Sequence, residues 1–170
     1  MSRHLSPREL AYCGLFGAAS LLLPLLFHLV HLGQVFMPMY LPLCTLPFFV
    51  RPMPAAITAA LVPVLSGAVT GMPPFYPPAA VFMAIELAVM AGLIALAVDR
   101  WPRANEWLVL IPVLLLGRVL YVALVYGFSR VIALPAGFMA ALSFVSGWPG
   151  IILVAVTLRS VLGLRLSAPP

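Results

Sequence analysis

Long, nearly uncharged apolar runs constrain this chain more than any other feature. The runs at about 10–32, 79–98 and 107–128 hold at most one charged side chain each. About 20 apolar residues in a helix cross the ~30 Å hydrocarbon core of a bilayer. Only 8% of the chain is charged, against about 25% in a soluble domain, so the chain lacks the residues to cover itself with a hydrated surface. We therefore expect an all-α integral membrane protein.

The apolar runs divide residues 1–170 into a single transmembrane domain of about six helices in one bundle. The spans are expected at about 10–32, 40–50, 54–70, 79–98, 107–128 and 133–158. The run at 40–50 would rise only ~16 Å as a helix, so we expect a broken or re-entrant element there. Residues 71–78 hold too many prolines to be helical and are predicted to form a loop.

The distribution of arginine predicts the orientation of this bundle. With six spans, the side that carries both termini holds Arg3, Arg8, Arg51, Arg100, Arg103, Arg159 and Arg165. The opposite side holds only Arg130. Because basic residues accumulate on the cytoplasmic side, both termini are predicted to be cytoplasmic. The loops around Met37 and Phe75 then face outside.

Two charged residues, Glu86 and Arg118, lie inside predicted spans. A charge near the bilayer centre costs at least ~2.5–3.5 kcal/mol on insertion scales, so such residues usually face the bundle interior and have a partner. Their predicted depths are similar. Two interpretations stay open: a structural ion pair between them, or a polar pocket open to the outside that one or both of them line. Tyr121, one turn beyond Arg118, would help to define such a pocket.

Further candidates lie near the predicted outer surface. His28 and His31 share a helix face, and they could line the pocket, anchor the helix at the interface or, with more ligands, hold a metal; no metal site is predicted. Phe36, Phe75 and Trp148 are candidates for contact with a ligand at the outer mouth. The alternative for these three aromatic residues is the ordinary aromatic belt of a membrane protein.

Several motifs of enzymes and ATPases are absent from the sequence. The chain has no lysine, so it has no GxxxxGK phosphate-binding loop and cannot bind ATP by that route. It also lacks an HExxH motif and carboxylates paired at catalytic spacing. We therefore expect no enzymatic activity and no cofactor bound by this chain.

Five short stretches, taken together, resemble one transporter family. They are residues 36–43 (FMPMYLPL), 70–74 (TGMPP), 83–88 (MAIELA), 117–121 (GRVLY) and 148–151 (WPGI). In this order they are similar to the substrate-binding S components of energy-coupling-factor (ECF) transporters. Tyr40 departs from the pattern, since histidine is common at that position.

The resemblance implies a six-helix S-component fold in the cell membrane of a prokaryote. Such a subunit captures a small water-soluble vitamin or a precursor from outside. A separate transmembrane T component and two ATPase subunits, which bind the ATP, supply the energy. The resemblance also implies that small residues of the first helix, here Gly14 and Ala18, pack against the T component.

Other functions are also compatible with the residues. The chain could be a self-sufficient secondary transporter or channel in which Glu86 titrates as ions move. It could also be a membrane enzyme or an assembly factor. The sequence does not name the substrate.

Overall fold

The computed structural model describes residues 5–29, 38–76, 78–101, 105–132, 148, 150 and 152–157. The described chain is helical, with no strand in these ranges. Its helices are α1 (Pro7–Leu29), α2 (Tyr40–Thr45), α3 (Pro52–Thr70), α4 (Ala79–Arg100) and α5 (Glu106–Val131). Residues 148, 150 and 152–157 are also helical.

Four helices are long and apolar enough to cross a membrane: α1 over Pro7–Phe27, α3, α4, and α5 over Trp107–Val131. They coincide with most of the spans predicted at about 10–32, 54–70, 79–98 and 107–128, and residues 30–32 lie outside the described part of the chain. The span predicted at 133–158 falls mostly outside the described residues and stays a prediction. The all-α fold is thus confirmed for the described residues, and the count of six spans stays a prediction.

The range 40–50 forms a short buried element and not a spanning helix. Helix α2 continues directly into a 3₁₀ turn over Leu46–Phe48. Pro47 lies in the first turn of this 3₁₀ segment, where a residue without an N–H interrupts α-helical hydrogen bonding. Apart from the half-buried Leu41 and Phe49, the side chains of the element are buried, chiefly against α1 and α4. The expected break in the helix is present, and the short helical element lies inside the bundle.

The first turn of α1 is bonded to Arg51, the N-cap residue of α3. Ser6 and Glu9 form a reciprocal cap: the Ser6 Oγ accepts from the Glu9 N–H at 3.2 Å, and Glu9 accepts from the Ser6 N–H at 3.1 Å. The Glu9 carboxylate also binds the Arg51 guanidinium, with Nε–Oε1 at 2.7 Å and Nη2–Oε2 at 2.9 Å. This hydrogen bonding raises the pKa of Arg51. Helices α1 and α3 therefore begin at the same end of the bundle.

The directions of the other described spans follow from this contact. Because α3 packs against α4 and α4 packs against α5, with short connections between them, consecutive helices run in opposite directions. Arg8, Arg51 and Arg100 consequently lie at one end, and Arg130 lies at the other. The described part of the arginine bias, Arg8, Arg51 and Arg100 against Arg130, thus separates the two ends of the bundle.

The orientation predicts which engineered cysteines an impermeant thiol reagent can label in intact cells. We expect Tyr76→Cys, in an exposed loop at the Arg130 end, to be labelled. Trp101→Cys, exposed at the Arg51 end, should be labelled only after the cells are opened. Both variants need a background without Cys13 and Cys44, which are free thiols. The reverse pattern would place the termini outside.

The pair α3–α4 forms the most extensive helix contact described. Small residues let two helices approach closely without a hydrophobic driving force between them, and across this contact an added Cβ at Gly92 of α4 would lie 3.6 Å from the Ala56 Cβ of α3. Small residues are also frequent among the buried positions of both helices: Ala55 and Ala59 on α3, and Ala80, Ala84, Ala91 and Ala95 on α4. This close contact holds α4, and with it Glu86, in a fixed position beside α2 and α5.

Candidate functional site

The two charged residues predicted inside the membrane lie at the contact between α4 and α5. This contact depends on Gly117, the residue before Arg118. A Cβ atom at Gly117 would lie 2.6 Å from the Met90 Cγ and 3.5 Å from the Glu86 Cγ, and it would also overlap the Met90 sulfur. An alanine at this position would require Met90 to move, so glycine allows α5 to approach α4 this closely, and the approach brings Glu86 beside the backbone that carries Arg118.

Glu86 is hydrogen-bonded to the short buried element. The Tyr40 hydroxyl donates to the Glu86 Oε2. Both side chains are buried, at 4% exposure for Tyr40 and 1% for Glu86. Buried polar groups are almost always hydrogen-bonded, because an unmet group loses its water without replacement. This bond joins α2 to α4 in the interior and gives the Glu86 carboxylate a partner other than Arg118.

Arg118 is buried with part of its hydrogen-bonding capacity unused. Its residue is 2% exposed, and its guanidinium carbon lies 5.3 Å from the centre of the Tyr121 ring, within the range of a cation–π contact. In the described part of the chain, neither its Nε nor its Nη2 has a hydrogen-bond partner. It also makes no direct ion pair with Glu86 there. The structure thus brings Glu86 and Arg118 together without joining them.

Aromatic side chains stand beside this pair. Phe82, one turn before Glu86 on α4, contacts two rings of α5 edge-on: Tyr121 at 6.4 Å and Phe128 at 5.8 Å between ring centres. Such edge-to-face pairs add about 0.5–1.5 kcal/mol beyond the area they bury. They hold α4 and α5 together on the side of the site nearer the Arg130 end.

The loop predicted at 71–78 folds back on the end of α3. The Ser66 hydroxyl donates to the Met72 carbonyl at 2.7 Å, and Gly71 ends the helix with a positive φ of 73°. The Phe75 ring covers Gly67, where an added Cβ would lie 3.0 Å from the ring and 2.7 Å from the Pro73 carbonyl oxygen. Phe75 is 46% exposed, so it belongs to the surface of this loop.

The other predicted residues are described only in part. Trp148 is half-buried in a helical segment. His28 lies in α1, but its side chain is outside the described part, as are His31 and Phe36. Their roles at the outer mouth stay predictions. Among the described side chains, no group of three that could hold a metal ion occurs.

Three residues of the site do not stand out in the sequence as members of it: Tyr40, Phe82 and Gly117. Tyr40 is conspicuous only as a departure from a family pattern, although its position in the stretch 36–43 is an available signal. Gly117 directly precedes an intramembrane arginine, and a glycine at such a position often permits a close approach of helices. Nothing in the local sequence distinguishes Phe82 from the other apolar residues of α4.

Comparisons with protein-family models, with curated proteins and with solved structures find no match to this chain. The chemistry of the site is therefore inferred from its own side chains. A buried guanidinium with free donors, a carboxylate already held by a tyrosine, and flanking aromatic rings are suited to binding a small polar molecule within the bundle.

Proposed function

We propose that the chain is the membrane-embedded substrate-capture subunit of an ECF-type ABC importer. It would bind a small water-soluble vitamin or a related micronutrient from outside. The observation that carries the proposal is the buried Arg118, whose Nε and Nη2 have no partner in the described chain. A buried donor without a partner costs about 1–3 kcal/mol, and more when it is charged, and a bound ligand would remove that cost.

The positions of the family-like stretches also support this function. Three of them supply the centre of the site: 36–43 carries Tyr40, 83–88 carries Glu86, and 117–121 carries Gly117, Arg118 and Tyr121. These stretches are far apart in the sequence, yet their polar side chains meet between α2, α4 and α5. Short motifs that converge on one buried place are typical of a binding site.

Energy for uptake would come from partner subunits, since the chain has no lysine and hence no phosphate-binding loop. The partners are a transmembrane T component and two ATPases that bind ATP. We place the arginine-rich end of the bundle in the cytoplasm of a prokaryote, by the positive-inside rule, where the ATPases can reach it.

Helix α1 offers a face for the T component. Gly14 and Ala18 are exposed on it, and an added Cβ at Gly14 would meet nothing within 4 Å. Gly17, in contrast, faces α3, with Thr58 and Val62 at 3.7 Å from its added Cβ. One side of α1 thus packs within the chain, and its small-residue side is left for another helix.

This function predicts that uptake requires the partners. We expect the chain alone, reconstituted in liposomes, to show neither ATP hydrolysis nor concentrative uptake. Co-reconstitution with a T component and two ATPases from the same genome should confer both. Concentrative uptake by the chain alone, driven by an ion gradient, would instead establish the secondary-transporter alternative in which Glu86 titrates.

The same reconstitution tests the partner face. Gly14→Leu or Ala18→Leu should weaken assembly with the T component and reduce uptake, because a bulky side chain keeps two helices apart, while ligand binding by the isolated chain stays nearly intact. Gly127→Leu on α5 is the matched control, since an added Cβ there also meets nothing within 4 Å. Equally weakened assembly in this control, or abolished binding in the isolated Gly14→Leu chain, counts against the assignment.

A further inference from the structure

We infer that the molecule bound at Arg118 carries a carboxylate, held side-on by the guanidinium. This inference rests on the proposed function and adds the chemical class of the ligand. The two unpartnered atoms, Nε and Nη2, form one edge of the planar group. Their two N–H bonds point in parallel and match the two oxygens of a carboxylate, which is the bidentate geometry that arginine favours.

In the described chain this edge of the guanidinium is buried and has no hydrogen-bond acceptor. The ring of Tyr121 lies over its face. The nearest acidic group, Glu86, accepts from the Tyr40 hydroxyl and makes no direct ion pair with Arg118 in the described chain. The guanidinium edge therefore has no carboxylate partner among the described residues, and a ligand carboxylate would supply the two acceptors that it lacks.

Charge favours a carboxylate over a phosphate at this place. Among the described residues, Arg118 is the one cation inside the spans at this depth, and Glu86 is the one acid. A carboxylate adds one negative charge, whereas a phosphate group adds about 1.5 to 2 at neutral pH. Charge without a partner is costly in a desolvated site, and the site offers a phosphate no second cation among the described residues. A neutral amide offers the two parallel donors a single, uncharged oxygen, whereas a carboxylate offers each donor its own charged oxygen.

The test uses the dialysable small-molecule fraction of a cell extract as the probe. One half of the fraction is left intact, and in the other half the carboxylic acids are converted to amides with a carbodiimide and ammonium chloride. Thermal unfolding of the purified full chain, first freed of any co-purified small molecule by exhaustive dialysis, is then measured with each half. We expect the intact fraction to raise the Tm of the wild-type chain by several degrees, as a ligand that binds only the folded state must, and the amidated fraction to lose this effect.

Arg118→Lys is the informative variant, because lysine keeps the charge and loses the two-donor edge. To give this variant the same Tm shift as the wild type, the intact fraction should have to be at least tenfold more concentrated. Arg130→Lys, an exposed arginine on the same helix, is the control and should respond like the wild type.

The outcomes separate the two proposals. If the amidated fraction stabilises the wild-type chain as well as the intact one does, the ligand has no essential carboxylate, and the capture function is still supported. This comparison uses only the wild-type chain, so it does not depend on the folding of a variant. Full response of Arg118→Lys overturns the side-on contact. No response of the wild type to either fraction counts against the capture function itself.

Discussion

Replacing Arg118 with methionine is expected to reduce ligand affinity at least thirtyfold. Removing a charged group that binds a ligand in a desolvated pocket costs roughly 2–5 kcal/mol of binding free energy. The fold should be destabilised less, because Glu86 keeps the Tyr40 hydroxyl as its partner and does not become an unpaired buried acid. The measurement is ligand affinity, with the molecule that co-purifies as the probe, beside thermal stability.

Glu86→Gln and the double variant Glu86→Gln with Arg118→Met complete the experiment. If the two residues merely pair with each other, each single change removes a partner and should cost ~3–5 kcal/mol of stability, and the double change should recover much of it. If they form the ligand site, the double change does not restore affinity. Arg130→Met, on the exposed side of α5, is the control. Unchanged affinity in either single variant would remove that residue from the site.

Gly117→Ala is expected to destabilise the fold by about 1–3 kcal/mol, the usual cost of forcing extra volume into a packed contact. The new Cβ would lie 2.6 Å from the Met90 Cγ, so either Met90 or the whole of α5 must move. Because Arg118 is the next residue, ligand affinity should fall in this variant as well. Thermal unfolding and binding of the purified variants measure both effects.

A second substitution and a control test the cause of this effect. Met90→Ala opens space opposite Gly117, so the double variant should be less destabilised than the sum of the two single changes. Gly127→Ala introduces the same methyl group on the same helix where nothing lies within 4 Å, and it should be neutral or slightly stabilising, since alanine favours helix more than glycine. Additive effects of Gly117→Ala and Met90→Ala would show that the contact with Met90 is not the reason.

The spanning helices could be predicted from the sequence because lipid imposes a single simple requirement. A segment must be apolar and about 20 residues long, and α1, α3, α4 and α5 meet this requirement. The buried element at 40–48 could be recognised as too short to span, since its length and its prolines are local features. That it fills the space beside α4 could not be predicted, because this depends on packing with distant helices.

The contacts of the site are harder to predict for a physical reason. Spanning helices such as α4 and α5 are apolar on nearly all sides, so no alternation of polar and apolar residues shows which side of the helix faces the interior. Glu86 and Arg118 can be identified because charge inside a membrane is costly, and their similar depth suggests that they lie close together. The Tyr40 hydroxyl, which binds Glu86, lies on another helix, and no sequence spacing relates the two.

Native mass spectrometry of the purified chain tests the central proposal most directly. The wild-type chain should carry one small molecule, which survives transfer from detergent and is released on activation in the gas phase. Gly14→Leu, whose change lies on the partner face of α1, should keep this molecule, and Arg118→Met should lose it. A wild-type chain that carries no small molecule even after incubation with a cell extract, or an Arg118→Met chain that carries it as fully as the wild type, would contradict a capture subunit with its site at Arg118.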